Sequence, residues 1–296
     1  MPAWPLPPGA PAIYNSTPGG LSAPTLAAWQ ASYGGVTFGP GTPIGVLKYH
    51  GLGGLPTVGS HDQPLPRDTG EIVGVDAMGG RDPGADLVIT ADIFAQMVAL
   101  GSALQAGGVL EQPFWFALPG LEVLCSMCRP RTEPSEWDSN VASAGMWAPS
   151  IGFHATDPRL YAQAQEASSP AGVSPTMTVT NAGNCETRPV LLLNGPLTAP
   201  SVEFGSATPP IVIALAAGSG IAAGDSVVVD CSTPHTVRYW TGGLGGTAAD
   251  AYNMIDQSAT SWPTLAPGDT TLTLHCGSFA AAAGQLEAWW ASAYML

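Results

Sequence analysis

Short runs of alternating or wholly apolar residues, each stopped by glycine, proline or aspartate, recur along most of the chain. "IAAGDSVVVD" (221–230) and "LAPGDTTLTL" (265–274) show the pattern twice: Gly-Asp followed by a β-branched run. Glycine reaches the positive φ of a tight turn and aspartate bonds turn backbone, so Gly224-Asp225 and Gly268-Asp269 read as structural turns that launch strands. Around them, "TMTVTNAGN" sets Met177 and Val179 on one face, and "RPVLLLNG" is a buried run. "VEFG", "IVIAL", "HTVRYW", "TTLTLH" and "EAWWASAYM" complete a series of about eight short strands, the signature of a β-sandwich or jelly roll.

The N-terminal half is also strand-rich. "ASYGGVTFG", "TPIGVLKYHGL", "EIVGVDAMGG" and "DLVITADI" predict a small antiparallel unit. The period then changes: Ile93, Met97, Leu100 and Leu104 fall at helical spacing, Gly107-Gly108 stops the run, and the apolar stripe is expected to face the core. "PFWFALPG" and "LEVLCSMCRPR" predict a hairpin turning at Pro119-Gly120, and residues from about 131 to 172 read as irregular. A boundary near 168–174 gives two domains, 1–170 and 171–296. Residues 1 to about 25 form a proline-rich arm, expected to run extended and to dock on a neighbouring subunit.

Composition sharpens this picture. The 37 glycines and 29 prolines favour turns and short strands over long helices. Only 10% of residues are charged, so much of the surface must be neutral, as suits an assembly. Eight basic against 22 acidic residues leave a net charge of −14, with no basic stripe to neutralise phosphates. Such a surface repels DNA and would suit the wall of a conduit through which DNA slides. No signal-peptide pattern opens the sequence and no apolar run reaches membrane-spanning length, so synthesis in a cytoplasm and no membrane contact are expected. The sequon Asn15-Ser16-Thr17 is accordingly read as chance. Five scattered cysteines argue against a disulfide framework.

The ordered series "VTNAGNCETRPVLLLNG", "GIAAGDSVVVDCSTPHTVRYW", "SATSWPTLAPGDTTLTL" and terminal "AWW" resembles the C-terminal domain of siphophage distal tail proteins, called minor tail proteins in phages of actinobacteria. In that family an Asn-rich strand precedes a "P…I.G" strand, an "AGD" turn leads into a strand ending in Asp, and "SW..L.PG" precedes the last hairpin. The helix with "PFWFALPGLEVLCSMCRPR", and "HDQPLPRDTGEIVGVDAMGGRD" before it, are similar to the family's ring-forming half. The likeness spans most of residues 30 to 290; the stretch 131–165 matches none of its motifs. It implies a mainly β protein with an N-terminal β-barrel-like domain carrying one helix, and a C-terminal galectin-like or jelly-roll sandwich. It further implies a virion tail-tip protein forming a closed ring, usually a hexamer, between the tail tube protein and the baseplate hub or tail fibre protein. DNA would pass through without specific binding.

Candidate chemistry is sparse, and no cofactor is expected. Cys125 and Cys128 form a CxxC, but no second ligand pair follows, and three positions apart on a strand they point to opposite faces. His50, His61 and Asp62 flank "GLGGLPTVGS", which spells no phosphate loop; Ser60-His61-Asp62 are adjacent, whereas triad members converge from separate segments. Glu71, Asp76, Asp225, Asp230 and Asp269 are too dispersed to nominate a glycosidase pair. The chain is therefore expected to be non-enzymatic. A second reading comes from Tyr239, Trp240 and Trp262 with Trp289 and Trp290: aromatics on a sandwich stack on sugars, making the domain a carbohydrate-binding module for host cell-wall glycan, or they contact a partner protein. Against it stands the core-packing role of aromatics, favoured for Trp289 and at least one other.

Overall fold

The computed structural model describes residues 23–55, 58–59, 63–64, 71–72, 77–106, 111–131, 145–168, 175–205, 211–232, 235–244, 246–277 and 285–296. The chain divides into two units, residues 23–160 with 295–296, and residues 161–294. Both are built almost wholly from antiparallel strands.

In the first unit the strands are β1 (Ala31–Tyr33), β2 (Val36–Phe38), β3 (Ile44–His50), β4 (Val58–Gly59), β5 (Gln63–Pro64), β6 (Glu71–Ile72), β7 (Ala77–Met78) and β8 (Gly84–Ile89). Helix α1 (Ile93–Ala106), β9 (Gln112–Phe116), β10 (Leu124–Pro130) and β11 (Ser150–His154) follow, and β12 (Leu160–Ser168) carries the chain onward. The main ladder runs β2-β1-β9-β10-β11-β8-β3, while β4 pairs β7 and β5 pairs β6. Gly34 and Gly35, at φ 55° and 84°, form the two-residue turn that sets Tyr33 opposite Val36. β2 and β3 are joined by the turn Gly39–Pro43 and a Gly39 N–H to Ile44 carbonyl bond of 2.8 Å, but form no ladder. The ladder of the expected barrel is thus not closed, its end strands β2 and β3 being left unpaired with each other.

An aromatic core fills this unit. Phe153 packs 4.6 Å from Tyr33 and 4.9 Å from Phe114, which in turn lies 6.0 Å from Phe38, between ring centroids. The hairpin β9–β10 pairs Phe116 with Leu124 and turns through Gly120 at φ 80°, as the sequence predicts. Two expectations need correction. Residues 150–154 and 160–168, read as irregular, are strands: Ile151 and Phe153 alternate inward, and pairing with β8 and β10 holds a segment whose own signal is only five residues long. The helix exists where expected, but it is buried at Leu100 and Ala103, with Ile93, Met97 and Leu104 only half-buried. Its seat is the β1–β2 turn, where a Cβ on Gly34 would lie 2.8 Å from the Ala103 Cβ, so the closest approach is at the small residue. Among the described residues no helix is long and apolar enough to cross a membrane.

The second unit is a sandwich. Its strands are β13 (Thr176–Asn181), β14 (Val190–Asn194), β15 (Leu197–Thr198), β16 (Ser201–Phe204), β17 (Ile211–Ala214), β18 (Gly220–Ile221), β19 (Ser226–Asp230), β20 (Thr236–Thr241), β21 (Thr247–Asp250), β22 (Gly268–His275) and β23 (Leu286–Tyr294). One sheet runs β23-β14-β19-β20-β21 and the other β13-β22-β16-β17, with β15 paired to β18. Between the sheets pack Leu191, Leu193, Val227 and Val229 from the first, with Val179, Val202, Leu272 and Leu274 from the second. β19 is buried along its length because Val228 joins Val190, Leu192, Trp240 and Trp289 in an apolar cluster on the other face of its sheet.

The two Gly-Asp motifs behave differently. Gly224 turns at φ 84° ahead of β19, and the Asp225 carboxylate accepts from the Tyr239 hydroxyl at 2.6 Å and from Gly242 N–H at 2.8 Å, fastening one turn to the next. Gly268 and Asp269 are the first two residues of β22 itself, paired with Asn181 and Thr180, because β13 reaches far enough to extend the ladder over them. The Thr180 hydroxyl donates to Asp269 at 2.6 Å.

Asn181, 1% exposed, closes the end of β13. Its amide donates to the carbonyls of Cys185 (2.8 Å) and Leu265 (3.0 Å), and its oxygen accepts from Gly183 N–H (3.0 Å) and Ala293 N–H (3.3 Å). One side chain satisfies four backbone groups where the ladder ends. Asn181→Leu leaves these groups without that partner and is expected to lower unfolding free energy by about 2–4 kcal/mol in urea titration; a loss within error would show that water replaces the amide.

Candidate assembly surface

The exposed large apolar side chains are distributed unevenly. Trp29 (51% exposed), Leu47 (67%), Leu55 (73%), Met78 (54%), Phe94 (80%), Val98 (53%) and Leu121 (46%) all belong to the first unit; among the described residues the second unit has none of this kind. A scattered exposed leucine is ordinary. The backbone at two of these positions is not. Leu47 is the extra residue of a β-bulge between Val46 and Lys48, outside the register that pairs β3 with β8. Trp29 stands at φ 65°, held there by its N–H on the Ala117 carbonyl (2.7 Å) and by the Tyr49 hydroxyl on its own carbonyl (2.8 Å). Left-handed backbone costs a bulky residue roughly 1–3 kcal/mol and persists only where its surroundings enforce it. Irregular backbone thus holds both apolar side chains toward solvent. On α1, Phe94 and Val98 lie one turn apart and share an outward face.

The same unit carries a polar cleft of about 470 Å³, lined by His50, Asp82, Asp86, Arg131 and Ser150. His50 Nε2 lies 3.0 Å from Asp86 Oδ2, the Ser150 hydroxyl donates to Asp86 Oδ1 at 2.8 Å, and His154 Nδ1 lies 2.7 Å from Asp82. The hydrogen bond from His50, then that from Ser150, holds the Asp86 carboxyl below the usual carboxylate range. In this trio the carboxylate sits between serine and histidine. A hydrolytic triad needs histidine in the middle to take the serine proton, so the cleft has the wrong order for that chemistry. Gly84 and Gly152 face each other across the β8–β11 ladder, leaving the cleft wall as bare backbone. Sequence reading singled out His50 but not Asp82, Asp86 or Ser150, which only strand pairing brings together.

A buried guanidinium was likewise not legible. Arg81, 4% exposed, donates to the carbonyls of Leu52 (2.9 Å), Pro158 (2.9 Å), Gly51 (3.3 Å) and Leu296 (3.4 Å), and burial lowers its pKa. It acts as a clamp on three stretches of backbone, at residues 51–52, 158 and 296.

The remaining sequence-nominated residues separate. Cys125 and Cys128 are fully buried thiols on β10, and burial raises the Cys128 pKa well above the ordinary thiol value. No group of three or more His, Cys, Asp or Glu able to hold a metal occurs among the described residues. Ser60, His61, Asp62, Asp76 and the Glu71 side chain lie outside the described residues. Trp240 (2% exposed), Trp289 (4%) and Trp290 (4%) are buried, the last donating its indole N–H to the Thr180 carbonyl at 2.9 Å. Trp262 is half-buried with one face taken: the His235 ring stacks on it at 4.1 Å and 5°. Tyr239 has its hydroxyl on Asp225.

No family model and no curated protein sequence matches the chain. Among solved structures it is similar to the SPP1 Dit protein, described as a paradigm of the hub adsorption apparatus in phages infecting Gram-positive bacteria. That likeness has 13% identity and a TM-score of 0.64, covering 90% of this chain and 99% of the other. The phage P2 baseplate in its activated conformation with Ca (8% identity, TM-score 0.48) and with Sr (7%, 0.48) aligns over 86% and 85% of this chain, and over 100% and 99% of its own chains. The chain therefore has the fold of SPP1 Dit.

One buried carboxyl gives a pH test of this geometry. Burial raises Asp230 above its usual range, although Ser232 N–H donates to it at 2.8 Å. The folded state then holds the proton more tightly than the unfolded chain, so this group's contribution to stability is fully present below the unfolded carboxylate pKa and is lost as pH rises through the folded value. Asp230→Asn is expected to gain stability relative to the native chain as pH rises above the unfolded carboxylate pKa of about 4, read in urea titrations across pH. A difference independent of pH would contradict the assignment.

Proposed function

We propose that this chain is a structural component of a phage tail tip that assembles through residues 1–170 into a closed ring, with residues 171–296 forming a peripheral sandwich. The observation that carries the reading is that, among the described residues, the exposed large apolar side chains all lie in the first unit, with Trp29 and Leu47 held outward by irregular backbone. A ring buries such patches, and covers sheet edges that would otherwise recruit other chains. The fold shared with SPP1 Dit supports the same role, as does the ordered motif series of the second unit.

On this reading the ring is a hexamer in a siphophage of actinobacteria, joining the tail tube protein on one face to the hub or fibre protein on the other. The net charge of −14 keeps its lumen from holding DNA in transit. The role is scaffolding, not catalysis: the Ser150–Asp86–His50 trio has the wrong order for a nucleophile. The carbohydrate reading is not favoured, since Trp240 is buried and Trp262 has one face covered.

Electron microscopy of virions labelled with antibody to residues 171–296 tests the placement. Label confined to the tail end away from the capsid is expected. Label on the capsid or along the tail, or none on intact virions, would overturn the reading.

A further inference from the structure

We propose that the outward face of α1, formed by Phe94 and Val98, is the docking site for residues 1–22 of a second copy of this chain. The proposal rests on the ring reading above. Phe94 is 80% and Val98 53% exposed, on a fourteen-residue helix without a charged side chain. In a closed ring of identical subunits each contact is head-to-tail, so α1 of one copy meets a different element of the next. That element has to be apolar, and in a chain of net charge −14 it also has to be uncharged, because identical acidic surfaces repel.

The first stretch of the chain meets both conditions. No Asp, Glu, Lys or Arg precedes Lys48, and residues 1–22 place Trp4, Leu6, Ile13 and Tyr14 among six prolines. Prolines bias such a segment toward the extended polyproline conformation, which lays side chains on an aromatic surface at small ordering cost. At about 3.1 Å per residue, some twenty residues span about 60 Å, enough to cross a neighbouring domain. The segment joins the described chain at Ala23, in the unit that carries α1. Within the ring each copy gives one arm and receives one.

The test places a photo-crosslinker on the helix, Phe94→p-benzoylphenylalanine, and irradiates the assembled ring. The expected result is a ladder of covalent multimers on a denaturing gel, with residues 1–22 identified by mass spectrometry as the captured peptide. Adding Val98→Glu, at an exposed position that does not endanger the fold, is expected to weaken that ladder by about tenfold. Capture of residues 1–22 in a product of monomer size would mean that the arm docks on its own chain, and overturns the proposal. Capture of another segment, or none, from an intact ring overturns it and leaves the ring standing; a chain that forms no ring overturns both.

Discussion

Backbone pairing is the constraint on which this molecule depends. Its strands run from two to nine residues, too short to hold any conformation alone, so each exists only because a neighbour takes its hydrogen bonds. Where a ladder stops, side chains continue the pairing. Asn181 serves four backbone groups, Arg81 gathers four carbonyls, and Asp225 ties the turn before β19 to the turn after β20. A chain with so few charges has few surface ion pairs, and places its polar side chains where backbone would otherwise be orphaned.

The legibility of the sequence follows from the range of the forces involved. Local rules operate at Gly34-Gly35, Gly120 and Gly224, where positive φ marks a turn, and in the alternation of Met177 and Val179; these elements were readable. The existence of α1 was readable from its period. Its buried face was not, because that is decided by a turn some seventy residues earlier, where Gly34 meets Ala103. β11 was hidden because five residues carry little signal until β8 and β10 flank them. The Leu47 bulge and the left-handed Trp29 depend on partners distant in sequence, and for that reason this exposed apolar surface was invisible. Trp240 was nominated as a surface aromatic, but the outer face of its sheet is itself apolar.

The two units treat their apolar side chains in opposite ways. The sandwich encloses Trp240, Trp289 and Trp290, while among the described residues the first unit leaves seven large apolar side chains in solvent on a surface with little charge. Such a surface is stable in isolation only at a cost in exposed apolar area, and association removes that cost.

Self-association is therefore the central claim, and light scattering on a sizing column measures it directly. The account gives one species at about six times the 30.1 kDa of the chain. A species that remains at the monomer mass as concentration rises into the high micromolar range would contradict it.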